Sequence, residues 1–86
     1  MPAYRNILIR AVTESAAKEA EKLGLSLDDV ARLLDESYDC IKSKRKSGID
    51  ERCVRTNGKI MKIVIELRLS KSGFEYWRVR QIGFVR

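Results

Sequence analysis

Apolar and polar positions alternate most clearly between residues 52 and 85. Across residues 60–69, Met61, Ile63, Ile65, Leu67 and Leu69 fall at every second position, with Ile60, Lys62, Val64, Glu66 and Arg68 between them. A period of two places the first set on one face of a β-strand and the second on the other. Val54-Arg55-Thr56 precedes this strand, and residues 74–82 form a third run behind it. Asn57-Gly58 joins the first two as the strongest short hairpin signal a sequence offers. A two-residue turn there sets Val54 against Met61, Arg55 against Ile60 and Cys53 against Lys62.

The second turn fixes the remaining register. Lys71-Ser72-Gly73 fits a three-residue loop with glycine in the left-handed position. Leu67 then opposes Trp77 and Ile65 opposes Val79. On the other face Arg68 opposes Tyr76, Glu66 opposes Arg78 and Val64 opposes Arg80. A two-residue loop would set Leu67 and Ile65 against Arg78 and Arg80, burying two guanidinium groups without partners. The predicted sheet therefore has a dry face and a mixed face. Val54, Met61, Ile63, Ile65, Leu67, Trp77 and Val79 make up the dry one. The mixed face carries Arg55, Lys62, Arg68, Tyr76, Arg78 and Arg80, relieved by Glu66, Ile60, Val64 and Ile82.

The N-terminal half changes period. Residues 7–12 read as a short edge strand. Thr13 or Ser15 can cap a helix in which Ala16, Ala17, Ala20 and Leu23 fall at helical spacing, and Gly24 ends it. Ser26 and Asp29 form a shortened capping box for a second helix, with Leu25 and Val30 as its hydrophobic staple. Leu27, Val30, Leu33, Leu34 and Tyr38 give that helix its buried stripe. The reading favours an end near Cys40, with an end near Ser37 and an extended segment 38–42 as the alternative. The expected architecture is a single α+β domain over residues 1–86, ordered β-α-α-β-β-β, with two N-terminal helices packed on one face of an antiparallel sheet.

Composition then narrows the chemistry. Eighty-six residues hold one modest core. A net charge of +6 and a pI near 9.6 favour an acidic partner, nucleic acid first. Heavy use of Lys, Arg and Glu beside Ile and Val is a pattern found in thermophile proteins. No stretch approaches the roughly 20 apolar residues of a membrane span, and no secretory h-region opens the chain, so a cytoplasmic address is expected. Without histidine, the two cysteines make a metal site untenable, and no cofactor fingerprint is present. For a cytoplasmic protein, Cys40 and Cys53 read as reduced thiols, with a bridge between them as the alternative.

Arginine and lysine interleaved with an aromatic ring on an open sheet face suit RNA, because guanidinium groups grip phosphates and rings stack on unpaired bases. The competing reading is a wet sheet face with ordinary cross-strand ion pairs such as Glu66 with Arg78. Arg55, Arg68, Arg78 and Arg80 are the candidate nucleic-acid contacts, joined by Lys44 and Arg45 from the basic connection 42–48.

The Thr-started helix, the Gly24 break, Leu25-Ser26-Leu27-Asp28-Asp29-Val30 and a meander with Asn57-Gly58-Lys59 resemble small prokaryotic domains related to the RelE/ParE toxin superfamily. The resemblance implies a RelE-like layout and an RNA-associated role, with the ribosome or messenger RNA as partner and toxin-like ribonuclease activity. Lys62 or Tyr76 would then assist proton transfer from the 2′-hydroxyl, and Arg55, Arg78 and Arg80 would stabilise the charged phosphorane. The chain departs from the related families in having Ser15-Ala16 where they often carry a histidine early in the first helix. The alternative is a non-catalytic module whose mixed face meets an antitoxin-like peptide or a second copy of the chain.

Overall fold

The computed structural model describes residues 1–40 and 47–85. The expected phosphate contacts Lys44 and Arg45 lie outside the described residues.

The chain runs β1 (Ala3–Tyr4), β2 (Ile7–Val12), α1 (Glu14–Lys22), α2 (Leu27–Asp35), β3 (Tyr38–Asp39), β4 (Ile49–Thr56), β5 (Lys59–Leu69) and β6 (Glu75–Phe84). All six strands belong to one sheet in the order β1-β2-β6-β5-β4-β3. The β4-β5-β6 meander forms as read. Asn57 and Gly58 take φ of 53° and 74°, the left-handed pair that a tight hairpin needs, and Val54 meets Met61. Gly73 sits at φ 90°, and Leu67 faces Trp77 while Ile65 faces Val79.

Three features overturn the expected fold of two N-terminal helices on an antiparallel sheet. First, β2 is an interior strand that runs parallel to β6, with Ile9 beside Trp77 and Val12 beside Val79, so the sheet is mixed. The chain between these parallel strands runs through both helices and then β3, β4 and β5, so the helices carry it across to the far side of the sheet. Second, strands make up 49% of the described residues against 23% helix and curve into a six-stranded half-barrel. Third, two additional short strands flank the sheet. β1 returns onto β2 through Arg5 and Asn6, both at positive φ, and β3 pairs with β4 at Tyr38–Cys53 and Asp39–Arg52.

A bulge changes the register beyond Val79. Ile65 faces Val79, but Val64 faces Gln81 and Ile63 faces Ile82, leaving Arg80 as the extra residue. The expected pairing of Val64 with Arg80 is therefore replaced, and Ile82 turns from the mixed face to the dry one, where it is buried. One inserted residue reverses every later side chain.

The core lies between the dry face and the helices. Val54, Met61, Ile63, Ile65, Trp77, Val79 and Ile82 pack with Ile9, Ala16, Val30 and Leu34. Trp77 satisfies its buried indole N–H by donating to the Tyr4 carbonyl at 2.9 Å, which ties β1 into the core. Ala17, expected in the buried stripe of α1, is exposed.

The second helix ends earlier than the favoured reading. Glu36 is its C-cap, and the Ser37 hydroxyl donates to the Leu34 carbonyl at 2.5 Å. Tyr38 therefore leaves the helical stripe and enters β3, exposed. Arg52 fixes this exit. Its Nε donates to Ser37 Oγ and its Nη2 to the Ser37 carbonyl, each at 2.9 Å, and Nη1 meets the Asp39 carboxylate. Only 6% exposed, Arg52 sits on the dry side of β4 because these partners meet its fork. One residue later, Cys40 is bonded to Cys53 with a Cα–Cα distance of 5.1 Å. The bridged alternative thus replaces the expectation of reduced thiols, because β3 pairing brings Cys40 alongside β4.

Candidate nucleic-acid interface

The outer face of the sheet carries the predicted basic residues in two groups. At one end Arg68 stands opposite Tyr76 and Glu66 opposite Arg78, as the turn at Gly73 dictates. The bulge brings Arg80 to the same cluster. Glu66 then has three guanidinium neighbours: Arg68 at 3.6 Å, Arg80 at 3.8 Å and Arg78 at 3.9 Å. These spacings exceed those of a direct charge-assisted hydrogen bond, which are ~2.7–2.9 Å. Glu66 is the more shielded member of each pair, with 19% of its side chain exposed. The arginine side chains around it are more exposed, at 47% for Arg68, 43% for Arg80 and 38% for Arg78.

At the other end Lys62 pairs with Glu51 at 3.1 Å. Lys62 and Glu51 line a cleft of about 280 Å³ with Tyr38, Ile60 and the Cys40–Cys53 bridge. Arg55 stands next to this group, opposite Ile60, and is exposed.

This arrangement separates the two alternative candidates for proton transfer. Lys62 lies six positions from Arg68 along β5, and Arg68 marks the level of Tyr76. At ~3.3 Å per residue that is about 20 Å. Lys62 and Tyr76 therefore do not face one phosphodiester. The structure brings Tyr76 together with Arg68, Arg78 and Arg80, and it groups Lys62 with Glu51 and Arg55.

Sequence reading passed over several residues of this face. Arg10, in β2, places its guanidinium 4.7 Å from the centre of the Phe74 ring. Phe74 in turn lies 6.4 Å from Tyr76, the two rings tilted by 56°. These residues join only because β2 pairs with β6, a contact with no local signature. The Phe74/Tyr76 spacing of two was visible in the sequence and placed both rings on one face. Tyr38 was hidden by the pairing of β3 with β4, and Glu51 by the extension of β4 back to Ile49.

Among the described residues, no group of three or more Cys, Asp and Glu side chains is positioned to hold a metal ion. No helix of the described residues is long and apolar enough to cross a membrane. No family model matches the chain, and neither a curated protein nor a solved structure is significantly similar to it.

Proposed function

We propose that the chain is an RNA-associated domain that binds through the outer face of its sheet. The observation that carries this reading is the crowding of Arg68, Arg78 and Arg80 around the single carboxylate of Glu66. Three cations against one anion leave a local surplus of positive charge. Holding like charges together this way is unfavourable unless an anion joins them. A phosphodiester backbone supplies that anion, and outward-facing guanidinium forks match its oxygens.

We take binding without cleavage as the form of this reading. Lys62 is paired with Glu51 and stands apart from the arginine cluster, and the chain has no histidine for general acid–base work. The likeness to RelE/ParE toxins therefore extends in this proposal to RNA association, with the ribosome or a messenger as partner. A cytoplasmic address belongs to the same proposal. The disulfide is compatible with it in hyperthermophiles, whose intracellular proteins are rich in such bridges.

The test is RNA binding followed by anisotropy across a salt series. Wild type should bind with an affinity that falls steeply as salt rises, and Arg78→Ala with Arg80→Ala should flatten that slope by about two. Glu66→Gln should act oppositely, tightening binding several-fold. Undetectable RNA affinity at low salt, with the fold intact, removes the proposal and leaves the protein-interaction reading.

A further inference from the structure

The cleft beside the arginine cluster combines features that the phosphate contacts do not require. It has a volume of about 560 Å³ and is lined by Arg10, Ser70, Lys71, Phe74 and Tyr76 among others. That lies within the ~300–1,000 Å³ typical of sites for small organic groups. Phe74 is a large apolar side chain left 41% exposed at the end of a turn. The core does not use it, since it projects to the outer face with Tyr76. Its neighbours are cationic. The Arg10 guanidinium lies over the Phe74 ring, and Lys71 stands at the rim.

We infer that this cleft holds one unpaired nucleotide of a bound RNA strand, with the base stacked on the Phe74/Tyr76 pair and its flanking phosphates on Arg10 and Lys71. The inference rests on the RNA reading proposed above and deepens it, by requiring the strand to be single-stranded at this point. The rings are 6.4 Å apart and tilted by 56°, so they form an open notch and not a parallel-walled slot. A base can stack on one ring while its edge meets the other. A base inside a duplex offers no free face, so the notch selects for single strands. Position supports the same occupant. Tyr76 lies opposite Arg68 and two residues from Arg78, so a strand tracking the arginine cluster reaches the notch without leaving the sheet. The contact is tolerant of base identity, because every base has a π-face.

The test compares one short single-stranded RNA with its duplex form and with inorganic polyphosphate, each at several salt concentrations. Wild type should favour the single strand. Phe74→Ala should weaken single-strand binding roughly tenfold, leave duplex and polyphosphate binding unchanged, and leave the salt slope unchanged. Arg10→Ala should lower that slope by about one. Phe74→Leu, which keeps apolar bulk but lacks a π-face, should behave as the alanine variant does. Near-ultraviolet circular dichroism of Trp77, buried on the opposite face, reports whether each variant is folded. If both Phe74 variants bind single strands as wild type does, while the Arg78/Arg80 variant loses affinity, the stacking site is wrong and the basic surface stands. If wild type binds none of the three polyanions, both fall.

Discussion

The hydroxyl of Thr13 donates to the peptide carbonyl of Arg80 at 3.0 Å. The same oxygen accepts from the Ala16 amide at 3.3 Å, and the Thr13 amide donates to the Val79 carbonyl at 2.9 Å. One residue therefore ends β2, caps α1 and holds the bulge that sends Ile82 inward and Arg80 outward. Thr13→Ala should lower stability by about 1–2 kcal/mol, combining a lost cap with an unpaired carbonyl. Thr13→Ser should recover most of it. Urea unfolding would show this as a lower midpoint at unchanged slope. A midpoint equal to wild type would mean that water replaces the hydroxyl at both contacts.

Arg52 gives the second prediction. It is nearly buried, and it bonds both the hydroxyl and the carbonyl of Ser37. Arg52→Ala should destabilise by roughly 2–3 kcal/mol, because the Ser37 groups lose their partners in a partly buried place. Arg52→Lys should not rescue, since a single ammonium cannot copy a fork that serves Ser37 and Asp39 together. Full rescue by lysine would assign the residue's value to charge alone.

The sequence disclosed what local geometry encodes. Asn57-Gly58 and Gly73 each demand a left-handed backbone, and that demand fixed the β4-β5-β6 register as far as Val79. Ser26 with Asp29 marked the start of α2 just as clearly. The rest depended on contacts between distant parts of the chain. The bulge at Arg80 has no glycine to announce it, and its anchor, Thr13, lies sixty-seven positions away. The parallel pairing of β2 with β6 is equally non-local, so Arg10 and Phe74 could not be joined in advance. Tyr38 suited a helical stripe by spacing alone, until Arg52 and Ser37 set the chain on another course.

The Cys40–Cys53 bridge joins residues thirteen positions apart and so closes a short loop. By the chain-entropy relation such a loop contributes about 3 kcal/mol, through restriction of the unfolded chain. Native protein should therefore show no thiol that reacts with a thiol reagent until reductant is added. Reduction should lower the thermal midpoint by on the order of 10–20 °C. The Cys40→Ser, Cys53→Ser variant should unfold at the temperature of the reduced protein and ignore reductant. Two reactive thiols in the untreated native protein would rule the bridge out.

Asp29 provides a prediction that pH can test. Its carboxylate accepts from the Ser26 amide at 2.9 Å and from the Ser26 hydroxyl at 3.0 Å, and it pairs with Arg32. The amide bond is the main cause that holds its pKa below the ordinary carboxylate value, followed by the hydroxyl, with Arg32 adding to both and desolvation opposing them. A pKa lower in the folded state than in the unfolded one means that the charged form favours folding. That contribution is complete above the unfolded pKa, near 4, and is lost as pH falls through the lower folded value. Asp29→Asn keeps an acceptor for the cap but removes the charge. Wild type should therefore exceed Asp29→Asn in stability by a constant amount near neutral pH, and the gap should close as the solution is acidified below about pH 4. High salt should shrink only the part owed to Arg32, since the hydrogen bonds from Ser26 are short and direct. A gap that stays the same into strong acid would show that the side chain's charge plays no part in the cap.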